Sequence, residues 1–150
     1  MTQNYRLKDV GRIDRNHIIS FTFNGKKYSG YKGDTLASAL LANGVHLIAR
    51  SFKYHRPRGI LAAGVDDPSA KVQLIKDGYS EPNVNLTEFE LVEGLELQSQ
   101  NCWPSVSVDV GEINNLLNRF FPAGFYYKTF MWPKSFWYSV YEPFIRKAAG

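Results

Sequence analysis

Cysteine is almost absent from this chain of 150 residues, in which Cys102 is the one example. A single cysteine excludes an internal disulfide framework, and it excludes an iron–sulfur cluster ligated by cysteines of this chain alone. The histidines are also few, and His17, His46 and His55 lie too far apart in the sequence to suggest a zinc site. Because sparse cysteine is typical of a reducing compartment, we predict a cytoplasmic protein.

Long apolar runs and nucleotide-binding motifs are missing as well. No segment approaches the roughly 20 apolar residues of a membrane span, and the polar start, MTQNYRLKDVGRIDR, contains no secretory signal. Neither a G-x-G-x-x-G motif nor a Walker loop is present, so the chain has no nucleotide-binding fingerprint of its own. The chain is 44% hydrophobic, which is enough for the core of one domain, or of one domain with a long tail.

Acidic residues are absent from residues 35–65. The cations of this stretch equal the whole net charge of +4, and they are Arg50, Lys53, Arg56 and Arg58. Together with His55 they fall in or next to the segment SFKYHRPRGI, and residues 50–58 are called the basic loop below. A compact positive patch suits a phosphate or a carboxylate better than a nucleic-acid surface, which spreads its charge over a face.

Neither Cys102 nor the Asp66-Asp67 pair suggests catalysis. Cys102 has no cationic neighbour in the local sequence, so we interpret it as a small buried hydrophobe rather than a reactive thiol. The two aspartates stand directly before Pro68, which favours a surface turn over a general acid/base pair.

Alternating apolar residues predict most of a β-sheet. In HIISFTFNGKKYSGY, Phe21 and Phe23 share one strand face, and Asn24-Gly25 is a strong hairpin signal. Downstream, KVQLIKDG predicts a third strand and EPNVN is interpreted as a connector. The segment TEFELVEGLELQSQ predicts a fourth strand, a turn at Gly94 and a fifth strand.

One helix is predicted in the segment GDTLASALLANGV. Asp34 or Thr35 can cap its N-terminus, and Asn43-Gly44 ends it. Its apolar face consists of Leu36, Ala37, Leu40 and Leu41. The order of these elements predicts an α+β domain, in which a mixed sheet packs against one helix.

The character of the sequence changes at about residue 101, so we predict one domain over residues 12–100 and a tail over residues 101–150. VGEINNLLNRFF predicts a short amphipathic helix built on Ile113, Leu116 and Leu117. Half of the aromatic residues of the chain then lie between Phe120 and Tyr141. Such a concentration is typical of interface cores, so we predict an aromatic-rich, partly helical tail that packs on another domain or subunit.

Three separated motifs resemble one known family: GDTLASALLANGV, SFKYHRPRGI and FFPAGFYYKTFMWP. From about Arg12 to its end, the chain resembles the amino-terminal region of the alpha subunit of heterotetrameric sarcosine oxidase. The resemblance implies a β-grasp fold related to 2Fe–2S ferredoxins, in agreement with the order of elements above. Related amine and amino-acid dehydrogenases carry cluster cysteines just after the H-R-P-R-G segment and in the turn that follows. The corresponding stretch here, ILAAGVDDPSA, has none, so we predict a ferredoxin-like domain without a cluster.

The resemblance also implies a larger assembly. A dinucleotide-binding domain would follow EPFIRKAAG and a folate-binding domain would lie further on, so the chain would be the leading domain of an alpha subunit. A fragment, a shortened gene product and a split subunit all fit this expectation. The partners would be the rest of the alpha subunit and the beta, gamma and delta subunits, with FAD, FMN, NAD and tetrahydrofolate in the complete complex.

The implied reaction is the oxidative demethylation of sarcosine, or of another N-methylated amino acid. Sarcosine would yield glycine, with formaldehyde equivalents passed to tetrahydrofolate and electrons passed to oxygen. We expect this chain alone to hold no cofactor and to show no catalysis, since it would supply packing and cofactor support within the complex.

The basic loop has three interpretations in this setting. In the first, Lys53, His55, Arg56 and Arg58 approach an anionic cofactor group, the FMN phosphate or the dinucleotide pyrophosphate, because guanidinium forks suit phosphate oxygens. In the second, the same residues form salt bridges and hydrogen bonds that tie the domain to its neighbours. In the third, the loop is solvated and inert.

A rival function from another class is a stand-alone anion-binding or nucleic-acid-binding module that uses residues 50–58. Its binding would fall steeply with salt. The aromatic tail argues against this module, because a monomer would have little use for so many aromatic residues in one segment. We therefore expect no nucleic-acid partner and no membrane partner.

Overall fold

A five-stranded mixed sheet forms the centre of the molecule. The computed structural model describes residues 3–120, 124, 127 and 131–149. The strands of the described part are β1 (Asp14–Phe23), β2 (Lys26–Lys32), β3 (Ala49–Arg50), β4 (Pro57–Arg58), β5 (Lys71–Lys76), β6 (Tyr79–Asn85) and β7 (Glu96–Ser99). The central sheet has the order β2-β1-β7-β5-β6, while β3 and β4 pair with each other.

The first hairpin and the mixed character of the sheet are confirmed. β1 pairs antiparallel with β2 across Asn24 and Gly25, which both have positive φ, at 50° and 74°. Asparagine and glycine tolerate this conformation better than other residues, which explains the strength of the signal. β1 also lies parallel to β7, with Thr22 opposite Glu96, and this one parallel pair joins the two halves of the sheet.

The predicted helix is confirmed as α1 (Leu36–Ala42). Of the two candidate caps, Thr35 is the N-cap, since its side chain accepts from the backbone N–H of Ser38 and the Ser38 hydroxyl accepts in return from that of Thr35. Asp34 instead binds Arg6 through two hydrogen bonds of 3.0 and 2.6 Å. The chain leaves the helix at Gly44, whose φ of 78° is the left-handed conformation expected there.

The hydrophobic core lies between α1 and one face of the sheet. Among the described residues, the buried apolar side chains all fall between Phe21 and Leu97. The largest of those that are fully buried are Leu36, Leu40, Ile48, Val72, Leu86, Leu91 and Leu97. At roughly 1.5–3 kcal/mol for each buried aliphatic side chain, this cluster supplies the main stabilisation of the α+β fold.

The sheet departs from the sequence prediction at two places. EPNVN is not a connector but part of β6, an edge strand that pairs antiparallel with β5. The fourth strand expected in TEFELVEGLELQSQ before Gly94 is absent, and this segment instead forms turns with an isolated bridge between Thr35 and Glu90. The expected fifth strand is confirmed as β7.

Short helical segments account for most of the described part of the tail after Asp109. α2 (Ile113–Leu116) stands between 3-10 turns at Val110–Glu112 and Asn118–Phe120, and α3 (Glu142–Ala149) follows a π-helical turn at Trp137–Tyr141. The helix predicted from Ile113, Leu116 and Leu117 is therefore present in shorter form, but these three side chains are exposed. Much of the aromatic motif, including Phe121, Phe125, Tyr126 and Phe130, lies outside the described residues.

None of the helices in the described ranges is long and apolar enough to cross a membrane.

Candidate functional site: the basic loop

The basic loop is an ordered turn closed by the short ladder of β3 and β4. Within the turn, the N–H of His55 donates to the carbonyl of Ser51, and the N–H of Ser51 donates to that of Arg56, both at 2.9 Å. His55 has a φ of 53°, an uncommon conformation for a residue with a side chain. The backbone therefore fixes the points from which the cationic side chains leave the turn.

Arg50 anchors one end of the loop to the segment that follows the sheet. Its side chain is 5% exposed, and its Nε donates to the carbonyl of Val106 at 2.9 Å. Its Nη1 donates to the carbonyl of His55 at 3.0 Å and lies 3.4 Å from a carboxylate oxygen of Glu112. A buried guanidinium with these acceptors joins the loop to residues 101–112.

His55 and Asp109 form a second connection to the same segment. The Nδ1 of His55 lies 2.7 Å from Oδ2 of Asp109, whose side chain is fully buried. The other oxygen of Asp109 accepts from the backbone N–H groups of Trp103 and Gly111, each at 3.0 Å. Burial alone would raise the pKa of Asp109, but the hydrogen bonds from Trp103, His55 and Gly111 outweigh burial and lower it.

Gly111 is required for this arrangement. The ring of His55 lies directly against it, so a Cβ at position 111 would overlap the ring atoms. The glycine thus lets the imidazole approach the backbone closely enough to reach Asp109.

Arg56 and Lys53 lie against the aromatic ring of Tyr54. The guanidinium carbon of Arg56 is 4.8 Å from the ring centroid, and Nζ of Lys53 is 4.7 Å from it. Arg56 also donates through Nε to the side-chain oxygen of Asn115 at 2.9 Å. Arg56 and His55 therefore both contact the segment 101–120.

Arg58 points to a different part of the molecule. Its Nη1 is 3.4 Å from the hydroxyl of Ser69, a long hydrogen bond, and the residue is exposed. The structure therefore divides the four predicted site residues. Arg56 and His55 contact the tail segment, Lys53 lies on the ring of Tyr54, and Arg58 faces the segment that leads into β5.

Asp109 is the main functional residue missed from the sequence. It caps the 3-10 turn at Val110–Glu112 by accepting from the N–H of Gly111. An aspartate directly before a predicted helix is a known cap signal, so its local role could have been found. Its pairing with His55, which is 54 positions away, has no signal in the sequence.

Asp67 is the second missed residue. It lies in a turn, as predicted, yet it is buried, at 3% exposure, and each carboxylate oxygen accepts two backbone N–H groups at 2.6–2.9 Å. The donors are the N–H groups of Leu61, Ala62, Ser69 and Ala70. Burial alone would raise the pKa of Asp67, but these four hydrogen bonds outweigh burial and lower it from 3.8 to about 2.

Cys102 has no sign of activation. Burial raises the pKa of its thiol, the charge of Asp109 raises it further, and Arg50 opposes these effects only in part. Arg50 is a cationic neighbour in space that the local sequence did not show. A thiol with a raised pKa is mostly protonated at neutral pH, which favours the interpretation as a small half-buried hydrophobe.

The donor set does not fit a 2Fe–2S cluster. Such a cluster takes about four cysteine thiolates, with histidine as an occasional substitute, and the chain has one cysteine. The loop over residues 60–70, where the resemblance places cluster cysteines, is instead organised around the carboxylate of Asp67. Within the part of the chain that the structure describes, no group of three or more metal-binding side chains comes together.

Comparison with known proteins identifies relatives of this fold. A family model described as "2Fe-2S iron-sulfur cluster binding domain" matches residues 16–102. The chain is 59% identical over 146 residues to sarcosine oxidase subunit alpha of Rhizobium meliloti (strain 1021), covering 97% of this chain and 15% of that protein. It is 45% identical over 78 residues to sarcosine oxidase subunit alpha of Corynebacterium sp. (strain P-1), covering 48% of this chain and 8% of that protein.

Among solved structures, L-proline dehydrogenase from P. horikoshii is similar with 24% identity and a TM-score of 0.45, covering 58% of this chain and 16% of that one.

The two sarcosine oxidase alpha subunits and the family model confirm the resemblance drawn from the three sequence motifs. The chain spans a small part of the length of each curated relative, 15% in the first and 8% in the second. The family match covers more than half of the chain and includes nearly all of the sheet, α1 and the basic loop. The chain therefore belongs to the family of 2Fe–2S iron–sulfur cluster binding domains.

Proposed function

We propose that the chain is a structural, cofactor-supporting domain of a flavoenzyme similar to sarcosine oxidase. The observation that carries the proposal is the 59% identity to a sarcosine oxidase alpha subunit, which extends over 97% of the chain. The complete enzyme would oxidatively demethylate sarcosine to glycine with FAD, FMN, NAD and tetrahydrofolate. Its further parts would be the rest of the alpha subunit and the beta, gamma and delta subunits, in the cytoplasm.

Exposed apolar side chains after residue 101 support a partner surface. The sheet domain buries a large apolar cluster and exposes only scattered apolar residues, such as Ile18, Leu61 and Tyr79, whereas the described part of the tail exposes many and has none in the buried core. Those exposed by half or more are Trp103, Val108, Val110, Ile113, Leu116, Tyr127, Trp132, Phe136, Tyr138, Val140 and Phe144. A surface of this kind is typical of a segment that is covered in a larger protein.

The basic loop contributes to this role mainly as a structural connection. His55 binds Asp109 and Arg56 binds Asn115, so two of the four predicted cofactor ligands hold the tail segment against the sheet domain. Of the arginines in the basic loop, Arg58 keeps the most open guanidinium, because its one hydrogen bond to a described residue, Ser69, is long. We therefore propose that direct contact with an anionic cofactor group falls to Arg58, with Lys53 near the ring of Tyr54 as the second candidate.

We further propose that the domain holds no iron–sulfur cluster. If the full chain is incubated anaerobically with ferrous iron and sulfide and then desalted, we expect iron at background level and no visible absorbance band, since the thiolates are too few. Cys102→Ser should behave identically. A brown protein with stoichiometric iron and sulfide would contradict this proposal.

The assignment to an oxidase complex is tested by co-purification from the native lysate. We expect the tagged chain to retain a yellow complex, with flavin absorbance and with peptides of sarcosine-oxidase-like subunits in the mass spectrum. Leu116→Ser, at a side chain 82% exposed on the tail, should reduce this recovery at least about tenfold if the surface is an interface core.

Leu7→Ser is the matched control, because Leu7 is 73% exposed and lies at the other end of the chain. It should leave the recovery of flavoprotein unchanged. Recovery of a colourless chain without flavoprotein subunits would contradict the proposed function. Equal loss in both variants would contradict the location of the interface on the tail.

A further inference from the structure

A small cavity beside the basic loop has the properties of an anion site. It has a volume of about 180 Å³ and lies between β4, the start of β5 and the residues that follow β7. The polar side chains around it include Arg58, Ser69, Lys71, Asn83, Gln100 and Asn101. None of the described residues that line it is acidic.

Two cationic residues line this cavity without a neutralising partner in the described part of the chain. Arg58 makes one long hydrogen bond, to Ser69, and among the described residues neither Arg58 nor Lys71 has a carboxylate within ion-pair distance. Asp67 is nearby in sequence, but its two oxygens accept four backbone N–H groups. Like charges at one cavity repel each other, and a bound anion would remove that repulsion.

Gln100 gives an independent indication of a ligand. The residue is 5% exposed, and its side-chain Nε2 has no hydrogen-bond partner among the described residues. Its backbone is held in place, because the carbonyl accepts from the N–H of Arg50 at 3.1 Å. A buried amide without an acceptor destabilises a fold, so its presence in the wall of a positive cavity requires an explanation.

We propose that this cavity binds a single phosphate group, with Arg58, Lys71 and the side-chain amide of Gln100 as donors. The cavity is smaller than the roughly 300–1,000 Å³ of sites that enclose a whole organic ligand, so it fits the phosphate rather than a complete nucleotide. A guanidinium, an ammonium and an amide give donors to several oxygens of one tetrahedral anion. The phosphate is either free or the terminal group of a nucleotide cofactor.

The phosphate site shares Arg58 with the function proposed above. It rests on that proposed function only for the choice of cofactor. Lys71 and Gln100 belong to the cavity alone, and their role does not depend on which enzyme the domain serves. Failure of phosphate binding would leave the co-purification result unaffected, and loss of co-purification would leave the cavity unaffected.

The test is a titration of the full 150-residue chain with inorganic phosphate at constant ionic strength, followed by two-dimensional amide NMR. We expect a saturable shift of the side-chain NH₂ signals of Gln100. Arg58→Met and Lys71→Met should each weaken phosphate binding by about tenfold or more, because each removes a charge-assisted hydrogen bond. Lys76→Met is the matched control, since Lys76 lies at the other end of β5, outside the cavity, and should leave the affinity unchanged.

A second variant separates ligand loss from misfolding. Gln100→Glu keeps the shape of the side chain and places an anion beside the two cations. It should abolish phosphate binding while the spectrum stays dispersed and the domain stays folded. A second titration with FMN identifies the source of the phosphate, since tighter binding of FMN than of inorganic phosphate would indicate the cofactor and equal binding the free anion.

Shifts that do not saturate, or saturate without any change at Gln100, would overturn the proposal. Equal phosphate affinities of Lys71→Met and Lys76→Met would overturn it as well, since they would show that the anion responds to net charge and not to the cavity.

Discussion

Replacement of Asp109 by alanine is expected to destabilise the domain by about 3 kcal/mol, because a buried acceptor of three hydrogen bonds is lost. The carboxylate is fully buried and accepts from His55 and from two backbone N–H groups, those of Trp103 and Gly111. The alanine variant leaves all three donors without an acceptor. Equilibrium denaturation at neutral pH measures the loss directly.

The same substitution should release the basic loop from the tail segment. Amide hydrogen exchange of residues 51–58 is expected to accelerate more than exchange in β1 and β5, because the connection through His55 is lost while the sheet remains. Glu112→Ala is the control. Its side chain is 56% exposed and contacts Arg50 at 3.4 Å, so the loss should stay within about 1 kcal/mol.

Equal destabilisation by the two variants would show that segment 101–112 stabilises the domain through its negative charge in general and not through the buried carboxylate of Asp109. A loss below about 1 kcal/mol in Asp109→Ala would contradict the assignment of Asp109 as the main connection between loop and tail.

Local signals explain which elements were predictable from the sequence. The β1–β2 hairpin follows from Asn24-Gly25 between alternating apolar residues, and α1 follows from a capping residue, an apolar stripe and a terminal glycine. Each signal lies within a few residues of the structure that it specifies. Interactions between residues so close in sequence can form before any tertiary contact does.

β6 was missed because an edge strand carries a weak signal. Its sequence, YSEPNVN, has polar residues at most positions and contains Pro82, which cannot donate to a sheet ladder. At the edge of the sheet both properties are tolerated, since only one side of the strand must pair. A polar strand that relies on its neighbour β5 cannot be recognised without knowledge of β5.

The residues of the basic loop were predictable from the sequence, but their hydrogen-bond partners were not. The charge of the basic loop is plain in the sequence, and so is the absence of acidic residues around it. The partners of the loop come from far along the chain. Asp109 is 54 positions from His55, and Asn115 is 59 positions from Arg56. A single sequence contains no information on such pairs, because either partner alone has an ordinary local environment.

The loop over residues 60–70 shows how a ferredoxin-like scaffold can be held together without cysteine ligands in this loop. Four backbone N–H groups converge on one point, and the group at that point is the carboxylate of Asp67. An anion with several acceptor sites satisfies converging N–H groups well, whether it is a cluster sulfur or a carboxylate. The stability of the loop should then depend on a single protonation.

Replacement of Asp67 by asparagine is therefore expected to destabilise the domain by about 3 kcal/mol at neutral pH. The amide oxygen can accept from two of the four N–H groups, while its NH₂ group faces the other two. Asp66→Asn is the matched control, because Asp66 is exposed and its substitution should change the unfolding free energy by less than about 0.5 kcal/mol.

The pH dependence distinguishes loss of the carboxylate from a simple packing defect. Folding lowers the pKa of Asp67 from 3.8 to about 2, so the folded state favours the ionised form. The resulting stabilisation is complete well above pH 4 and is lost as the pH falls through about 2. The gap in unfolding free energy between the wild type and Asp67→Asn should therefore narrow by about 2 kcal/mol between pH 7 and pH 2. Urea denaturation across this range measures the gap, and a gap that stays constant would show that the four hydrogen bonds do not depend on the charge of Asp67.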